Sequence, residues 1–330
     1  MNPQIDFLSI GDIATDAFIR IKDANIHCNV KRDECEICLK FKEKIPYEFV
    51  EVVKAVGNSA NAAVSASRLG LKTALVSNLG DDENGNECVE TLKREGVDAS
   101  FIKKHSGAKT NYHFVLWYED DRTILVKHEK YDYKLPDLPS PKWVYLSSIG
   151  SGTEEYHKEI GEYLAKNPES KVAFQPGTFQ IKMGRENLAG IYKRANIFFC
   201  NFGEAEKILD RRGEIKDLLI GIKELGPEIV VITNGHEGSY LLWEGSFYHM
   251  PVYPDKNPPL ERTGAGDAFS STFVSALALG KDPLEAITWG PANAMSVVNY
   301  IGAQKGLLKR DELMEWLNKA PDNYKPEKIG

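Results

Sequence analysis

The chain has 330 residues, of which 42% are hydrophobic and 27% are charged, and its formal net charge is −7. This composition is typical of a globular protein, and the negative balance provides no basic surface for nucleic acid. No stretch reaches the roughly 20 apolar residues that a membrane-spanning helix needs, and residues 1–10 lack the cationic start of a signal peptide. We therefore expect a cytoplasmic protein that binds neither nucleic acid nor membrane.

Strand and helix patterns alternate along most of the chain. Short apolar runs predict strands at residues 6–11, 73–79, 143–147, 171–174, 197–200 and 228–233. Amphipathic periodicity predicts helices at residues 61–69, 83–95, 154–165, 188–194, 204–209 and 215–225. This alternation indicates an α/β fold whose mostly parallel sheet is covered by helices on both faces.

Two segments interrupt the alternation, at residues 18–46 and 111–129. The first contains no good helix, and the second predicts a hairpin of strands 112–118 and 123–127 joined by a turn at 119–122. The two segments could be unrelated surface hairpins. We favour a small β-sheet lid, because the active sites of open α/β sheets lie at the carboxyl ends of the strands and often need a cover.

The cysteines do not predict a disulfide framework, because the chain has 5 of them, an odd number in a long chain. Cys35 and Cys38 form a C-x-x-C pair with His27 and Cys28 nearby, which raises the question of a zinc site. No second ligand pair follows, and residues 35–41 predict a strand, in which side chains three apart point to opposite faces. We expect no metal there, and the role of Cys35 and Cys38 stays open.

The clearest chemistry lies in Gly264, Ala265, Gly266 and Asp267. The small apolar residues 270–279 that follow predict a helix, so the glycines lie at a helix N-terminus. Unpaired N–H groups there stabilise an anion such as a phosphoryl group in transfer. Asp267 in the first turn can orient a hydroxyl group and accept its proton. An Asp at this position can also be a simple helix cap.

Residues 263–269 resemble the C-terminal signature of the ribokinase-like (PfkB) carbohydrate kinase family. The resemblance covers nearly the whole chain and implies one domain over residues 1–330, built as a three-layer α/β/α sandwich with a mostly parallel central sheet and a small β-sheet lid. Further motifs match in the family's order: Gly57-Asn58-Ser59-Ala60-Asn61, Gly80-Asp81-Asp82 with Gly85, Asn201-Phe202-Gly203-Glu204, Thr233-Asn234-Gly235 with Gly238, Ala292-Asn293-Ala294, and Gly302-Ala303.

The resemblance also implies roles for the residues that match. Asp267 takes the position of the catalytic base, and the three residues before it take that of the anion hole. Glu204 takes the position of a magnesium ligand. A single carboxylate suits this ion, because Mg²⁺ needs only one or two. The implied nucleotide contacts are Asn201, Thr233, Gly235, Gly238 and Asn293. The alternatives are a helix cap for the Asn–Glu pair, turns for the glycines and packing for the last Asn.

The acceptor site is implied by Asp16, Gly57, Asn58 and Asn61. A carboxylate accepts two hydroxyl hydrogens, and an amide both donates and accepts, which suits a vicinal diol. Asn61 could instead cap a helix, and Asp16 could be a turn residue. Asp12 is a weaker candidate for the same site.

Three residues depart from the family pattern: Val56, Glu261 and Arg262. Val56 replaces the first glycine of the N-terminal motif, so the backbone near the acceptor is expected to differ. Glu261 stands where the family has an Asp that contributes to a monovalent-cation site, which puts potassium activation in doubt. Arg262 is a candidate for contact with nucleotide phosphates or an anionic acceptor.

These observations are typical of a kinase that uses ATP and Mg²⁺ to phosphorylate a hydroxyl group of a small sugar, such as ribose, fructose or 2-keto-3-deoxygluconate. A nucleoside kinase is the alternative, because aromatic lid residues could stack on a base. The same rings could form the core of the lid or a contact between subunits, and we expect a homodimer through the lid. The rings are Phe41, Tyr112, Phe114 and Trp117.

Other functions are less well supported. No cluster of Arg and Lys lies beside Asp16 or Asn61 to bind a second phosphate, although Lys127 and Lys130 could approach. A non-catalytic binding protein on the same fold stays a rival, because a fold does not prove an activity. A dehydrogenase is excluded, because no G-x-G-x-x-G follows the first strand.

Overall fold

A large, mostly parallel sheet forms the centre of the protein in the computed structural model, which describes residues 4–29, 35–119, 121–255 and 258–329. The strands are β1 Phe7–Ile10, β2 Ala14–Ile21, β3 Asn25–Cys28, β4 Cys35–Cys38, β5 Tyr47–Val56, β6 Thr73–Gly80, β7 Val97–Asp98, β8 Ile102–His105, β9 Tyr112–Tyr118, β10 Asp121–Leu125, β11 Trp143–Leu146, β12 Lys171–Phe174, β13 Ile197–Asn201, β14 Ile229–Thr233, β15 Ser239–Trp243, β16 Ser246–Met250 and β17 Glu327–Lys328.

The helices lie between these strands. They are α1 Asn58–Arg68, α2 Glu83–Arg94, α3 Glu154–Lys166, α4 Thr178–Met183, α5 Ala189–Arg194, α6 Phe202–Leu209, α7 Ile215–Glu224, a 3₁₀ turn Gly235–Glu237, α8 Ala265–Ala278, α9 Pro283–Val297 and α10 Arg310–Asn318. The predicted strands and helices are all present, with ends that differ by a few residues. Parts of three predictions fall outside the described residues: residues 1–3, residues 30–34 of the first lid segment, and Asp120 of the turn.

The central sheet has the strand order β17-β16-β15-β14-β13-β12-β11-β1-β6-β7, and β8 also pairs with β6. Neighbouring strands are parallel along the series β14-β13-β12-β11-β1-β6-β7. Neighbouring strands are antiparallel along the series β14-β15-β16-β17. The carboxyl ends of the parallel strands therefore meet along one edge.

Helices cover both faces of this sheet, as predicted. Along β13 the side chains alternate, so Phe198 belongs to a core shared with α3, α5, α6 and α7, and Phe199 belongs to a core shared with α1, α8 and α9. The three-layer α/β/α sandwich is confirmed. Across the described residues, no helix combines the length and the apolar character required to cross a membrane.

The helix that carries Asn293 contains an internal proline. α9 begins at Pro283, and Pro291 lies within it. The Asp282 carboxylate accepts hydrogen bonds from the backbone N–H groups of the second and third residues of α9 at 2.8 and 2.9 Å. This cap and the surrounding core hold the helix despite the internal proline, which lacks one N–H donor.

A second, smaller sheet has the order β10-β9-β2-β5. It confirms that two β segments form a small separate sheet, but its bounds differ from the predicted segments 18–46 and 111–129. β2 begins at Ala14, and β5 lies beyond Pro46. The sequence did contain the missing signal, because apolar and charged residues alternate at the start of β5, the pattern of a half-buried strand. We call this sheet the lid sheet.

The two faces of the lid sheet differ in character. Phe18 and Val115, which are paired across β2 and β9, are both fully buried against the rest of the protein. On the opposite face, Val52, Phe114 and Leu125 are 43%, 44% and 52% exposed. The outer face is therefore an exposed apolar strip.

Three of the predicted aromatic lid residues have different surroundings. Phe41 lies outside the lid strands and is 87% exposed, and Phe114 is on the outer face. Trp117 is 4% exposed, with the Arg20 guanidinium 4.3 Å from its ring centre. Phe114 and Trp117 thus serve the outer surface and the core of the lid sheet, which is one of the roles the sequence left open, and stacking of a lid ring on a base stays a prediction.

The hairpin of β3 and β4 corrects the cysteine analysis. Cys28 and Cys35 are opposite each other in the antiparallel register and form a disulfide, whereas Cys38 is free. β4 ends at Cys38 and does not continue to residue 41. The described residues contain no group of three or more His, Cys, Asp or Glu side chains arranged to bind a metal. The odd number of cysteines did not exclude one pair, because pairing depends on the register of the hairpin.

The core at Phe198 provides a test of the packing. Its ring lies 5.5 Å from that of Phe174 and 5.3 Å from that of Tyr192, and the side chain is fully buried. We expect Phe198→Ala to lower the free energy of unfolding by about 3–5 kcal/mol in urea titrations, because it leaves a cavity. The exposed Phe41→Ala is the control and should change it by less than about 0.5 kcal/mol. Equal losses in both variants would contradict this assignment of the core.

Candidate active site

Polar residues collect along the edge where the parallel strands end. Asp12 follows β1, Gly150 follows β11, and Gln175 follows β12. Asn201 ends β13 and is directly opposite Thr233, the last residue of β14. The predicted acceptor residues and nucleotide residues therefore lie at the same edge, the usual place for a ligand in an open α/β sheet.

Asp267 is the third residue of α8, as its motif predicted. Gly264 precedes the helix with φ +81°, and a Cβ there would collide with Ala303. Only glycine fits this combination of backbone angle and close packing. The first N–H groups of α8 have no partner within the helix, and the Ala265 N–H makes only a long bond of 3.4 Å to the Arg262 carbonyl oxygen, so this helix start can bind an anion.

The Asp267 carboxylate is held by two amides and does not cap its own helix. Asn61 Nδ2 donates to Oδ2 at 2.8 Å, and Gln175 Nε2 donates to Oδ1 at 3.2 Å. Further bonds fix which atom each amide presents. Gln304 Nε2 donates to Asn61 Oδ1 at 3.0 Å, and the Tyr145 hydroxyl donates to Gln175 Oε1. Both amides must therefore turn their N–H groups to the carboxylate.

Burial raises the pKa of Asp267 to about 6, although the hydrogen bonds from Asn61 and Gln175 act to lower it. Such a carboxylate is largely ionised at neutral pH and still has a substantial affinity for a proton. These are the properties of a general base that works near neutral pH.

Asn201 and Glu204 form a reciprocal cap at the start of α6. Asn201 Oδ1 accepts from the Glu204 N–H at 2.8 Å, and Glu204 Oε2 accepts from the Asn201 N–H at 2.9 Å. A helix cap is the alternative role that the sequence left open for this Asn–Glu pair. The capping bonds use one oxygen of each side chain, so a ligand role for the other oxygen of Glu204 is not excluded by the cap.

Glu204 also has the environment of a cation ligand. Burial raises its pKa, the hydrogen bond from the Asn201 N–H lowers it, and the negative charge of Asp267 raises it further. Two carboxylates that destabilise each other's charge favour a cation between them. Mg²⁺ fits, because it commonly binds one or two carboxylates together with phosphates and water.

The other predicted nucleotide residues have different surroundings. Gly235 is exposed with φ +54° and has nothing within 4 Å of its Cβ position. Gly238 is buried, and a Cβ there would collide with the Met250 carbonyl, so this glycine serves the β15–β16 hairpin. Asn293 is fully buried, donates to Thr272 Oγ1 at 2.7 Å and accepts from the Leu308 N–H at 2.8 Å. Asn293 therefore joins packed elements, which supports the packing role that the sequence left open, and its contact with a nucleotide stays a prediction.

The predicted acceptor residues surround the start of α1. Gly57 precedes this helix with φ +112°, and a Cβ there would lie 2.6 Å from the Asp12 carbonyl oxygen. Glycine thus lets the two segments meet. Asn58 is the first residue of α1 and is half-buried, whereas Asn61 lies within α1 and is not its cap.

Asp12 proves to be a central residue of this site. It is 6% exposed, its Oδ2 accepts from the Gly150 N–H at 2.7 Å, and the Tyr133 hydroxyl donates to the carboxylate at 2.9 Å. His128 Nδ1 lies 3.4 Å from Oδ2. Asp16, on β2 of the lid sheet, is 8% exposed with His113 Nδ1 3.3 Å from Oδ1. Asp16 is therefore a strand residue and not a turn residue.

Glu261 meets a cation from the lid sheet. It is 1% exposed, and its Oε1 accepts from the Thr263 N–H at 2.8 Å and from the Thr263 hydroxyl at 2.6 Å. Arg122 Nε of β10 lies 3.4 Å from the same oxygen. A guanidinium at this carboxylate supports the doubt about potassium. Arg262 is exposed, and its predicted phosphate contact stays a prediction.

Sequence reasoning missed several residues of this site. Gln175 directly follows a predicted strand, the same signal that identified Asn201, and could have been found. His113 and His128 lie in a predicted lid segment, but nothing local showed which strand face they would occupy. Gln304 lies next to the Gly302-Ala303 motif and carries no signal of its own.

The bond from Gln175 provides a direct test of the Asp267 environment. In protein labelled with ¹³C-Asp, we expect the Asp267 carboxyl to titrate with a midpoint of about 6. Gln175→Leu should raise this midpoint, because a donor to the ionised form is lost. The exposed Asp132 serves as the control within the same spectra and should not change between the variants. A midpoint in Gln175→Leu equal to or below that of the unmodified protein would contradict the assigned bond.

Known proteins share this arrangement of elements. Residues 21–310 match the family described as pfkB family carbohydrate kinase. A nucleoside kinase of Methanothermobacter thermautotrophicus is 27% identical over 255 residues, which cover 76% of this chain and 80% of that protein. A 2-dehydro-3-deoxygluconokinase of Thermoproteus tenax is 28% identical over 287 residues, which cover 79% of this chain and 84% of that protein.

A solved structure shows the same fold. The structure of an Arabidopsis thaliana ribokinase complexed with ribose and ATP has a TM-score of 0.77 and 19% identity, and the comparison covers 96% of this chain and 99% of the other. The family match includes the helix start at Asp267, the cap at Glu204 and the amide at Asn61. The chain therefore belongs to the pfkB family of carbohydrate kinases, which transfer a phosphoryl group to a hydroxyl group.

Proposed function

We propose that the protein transfers the γ-phosphoryl group of ATP to a hydroxyl group of a small sugar or nucleoside, with Asp267 as the catalytic base. The observation that carries the proposal is the buried Asp267 carboxylate, which has a pKa of about 6 and lies in the first turn of α8. A base and an anion-binding helix start are thus combined within a few residues. Phosphoryl transfer to an alcohol requires both.

Each element of the site has a task in this reaction. Asn61 and Gln175 orient the carboxylate so that it accepts the proton of the acceptor hydroxyl as its oxygen attacks phosphorus. The N–H groups at Gly264, Ala265 and Gly266 stabilise the charge of the transferring phosphoryl group. Glu204 would hold a magnesium ion, which neutralises charge on the nucleotide phosphates when bound.

The nucleotide is proposed to lie along the ends of β13 and β14. Asn201 and Thr233 are neighbours there, and the exposed backbone at Gly235 allows close approach of a ligand. The ribokinase of the same fold was solved with ATP, which supports ATP as the donor. Because the negative charges of Asp267 and Glu204 act on each other, a divalent cation accompanying the nucleotide would favour binding.

The acceptor is proposed to lie between Asp12, Asn61 and the inner face of the lid sheet. Relatives of this chain include a nucleoside kinase and a 2-dehydro-3-deoxygluconokinase. Both sugars and nucleosides present the hydroxyl groups that carboxylates and amides bind. One domain over residues 1–330, with the lid sheet as the cover of this site, is part of the proposal.

We also propose a homodimer through the lid sheet and a cytoplasmic location. The outer face carries Val52, Phe114 and Leu125, which form an apolar strip of the kind that marks an interface. ATP as the phosphoryl donor favours the cytoplasm.

The Asp267→Ala variant tests the activity. ATP consumption with magnesium is measured across sugars, sugar acids and nucleosides. We expect kcat with the best acceptor to fall by about 10²–10⁴, with ATP affinity retained, because a general base contributes on that scale.

Asp217→Ala is the matched control, because Asp217 is also the third residue of its helix, α7, but is exposed. It should retain full turnover. Near-normal turnover in Asp267→Ala would sink the proposed role of the base. A lack of acceptor-stimulated turnover in the unmodified protein, across the whole panel, would count against the kinase activity itself.

The interface is tested by Phe114→Glu in sedimentation experiments. A charge in the apolar strip should convert dimers to monomers at micromolar concentration, because burying an unpaired charge is costly. Leu39→Glu is the control, since Leu39 is 43% exposed but lies outside the lid strands. A monomeric unmodified protein, or a Phe114→Glu variant that still dimerises, would contradict this interface.

A further inference from the structure

Unpaired buried polar atoms collect in the acceptor site. Seven buried side-chain oxygen or nitrogen atoms in the described residues lack a hydrogen-bond partner. Three of them lie together: His113 Nε2, and also Asp16 Oδ1 and His128 Nδ1, which are 3.3 Å from His113 Nδ1 and 3.4 Å from Asp12 Oδ2, respectively, without forming a hydrogen bond. A buried polar atom without a partner is costly, so such a cluster indicates that a ligand supplies the missing bonds.

The chain satisfies another buried histidine completely. His157 is 2% exposed, its Nδ1 lies 2.7 Å from the Thr153 carbonyl oxygen, and its Nε2 lies 3.0 Å from Gln180 Nε2. A structural histidine in this protein therefore has partners on both ring nitrogens. His113 Nε2 and His128 Nδ1, in contrast, have no hydrogen-bond partner, and a bound ligand would supply one to each.

The geometry of the cluster fits hydroxyl groups. The rings of His113 and His128 are 5.4 Å apart, and each ring is 3.3–3.4 Å from a carboxylate, Asp16 for the first and Asp12 for the second. Carboxylates accept hydrogen bonds, and neutral imidazoles both donate and accept. The cluster thus offers alternating acceptors and donors over the length of a few hydroxyl groups.

Phe179 encloses the cluster on one side. Its ring meets that of His128 edge to face, 5.1 Å away. A ring at this place gives an apolar wall to the carbon side of a sugar or to a flat base. The cluster therefore presents both polar groups and an apolar surface, as a site for a carbohydrate or nucleoside does.

The charges around the cluster disfavour an anion. Within the described residues, the rings of His128 and His113 lie 3.4 and 3.3 Å from the carboxylates of Asp12 and Asp16, and no Lys or Arg comes within ion-pair distance of either carboxylate. Lys127 is 72% exposed and pairs with Glu129 at 2.6 Å. Lys182 is exposed and lies over the Phe179 ring, 5.9 Å from its centre. A carboxylate or phosphate on the acceptor would meet two carboxylates at this end of the site.

A metal ion does not explain the cluster. The described ranges contain no group of three or more His, Cys, Asp or Glu side chains with metal-binding geometry. The Asp12 carboxylate is also already engaged by the Gly150 N–H and the Tyr133 hydroxyl. A ligand with several hydroxyl groups accounts for the unpaired atoms without displacing these bonds.

We propose that His113 and His128 bind the hydroxyl groups of the acceptor farthest from the reacting one, and that this acceptor is an uncharged polyhydroxyl compound, a free sugar or a nucleoside, and not a sugar acid or sugar phosphate. The proposal rests on the proposed kinase function. It makes His113 and His128 determinants of acceptor specificity. It also predicts that the acceptor differs from a sugar acid of the kind in the name of one relative, a 2-dehydro-3-deoxygluconokinase.

The first experiment measures binding without turnover. Protein labelled with ¹⁵N-His contains only 7 histidines, and the spectra of His113→Gln and His128→Gln assign the two resonances. Neutral sugars, cyclitols and nucleosides are added, each beside its acid or phosphate. We expect the ring nitrogens of His113 and His128 to shift with the neutral compounds, whereas those of His157 stay unchanged.

The second experiment measures kinetics with the best acceptor. His113→Ala should raise the acceptor KM by about 3–10-fold, the value of one hydrogen bond, with kcat and the KM for ATP unchanged. His113→Gln should recover part of this loss, because its amide still donates and accepts. His27→Ala is the matched control, since His27 is exposed on the β3–β4 hairpin, and it should leave all constants unchanged.

The outcomes separate this inference from the proposed function. A kcat/KM for the sugar acid equal to or above that for the neutral sugar would overturn the inference and leave the kinase activity intact. So would the absence of binding by every neutral compound in the panel. Shifts of His113 and His128 without any turnover would instead overturn the kinase activity and leave the acceptor class standing. We expect discrimination against the acid by about tenfold or more, because like charges meet in the site.

Discussion

A carboxylate buried at the start of α8 determines how the rest of the site is built. Asp267 needs donors on both oxygens to stay ionised, and it receives them from Asn61 of α1 and from Gln175 after β12. The helix start, a neighbouring helix and a central strand must therefore hold fixed positions. The bonds from Gln304 and Tyr145 orient the two amides, so the network has one consistent direction of donation.

The lid sheet gives the site its second half and gives the protein its exposed apolar surface. Alternation along β9 turns His113 toward Asp16, and it turns the next residue, Phe114, outward. One strand thus connects acceptor recognition with the proposed subunit contact. Arg122 of β10 lies 3.4 Å from Glu261, so the lid sheet also contacts the segment that leads into the proposed anion-binding start of α8. A shift of this sheet would change both ends of the site together.

The fold could be predicted largely from the sequence. Alternating strands and helices follow from local periodicity, and the glycine-rich start of α8 follows from the few residues around Gly264. The β5 strand was missed although its alternation was readable. The disulfide of Cys28 with Cys35 was missed because it depends on hairpin register, and the hydrogen-bond partners of Asn293 were not predictable because they lie on other elements.

The sequence by itself determined the α/β class, the helix start that binds an anion, and the identity of Asp267 as its acidic residue. Only the tertiary structure decided which donors meet that carboxylate and which histidines lie beside Asp12 and Asp16. Asn61 and Asp267 are 206 residues apart, and Gln304 and Asn61 are 243 apart. Local propensity and periodicity act over a few residues, whereas such contacts exist only after the strands have packed side by side and brought their carboxyl ends to one edge.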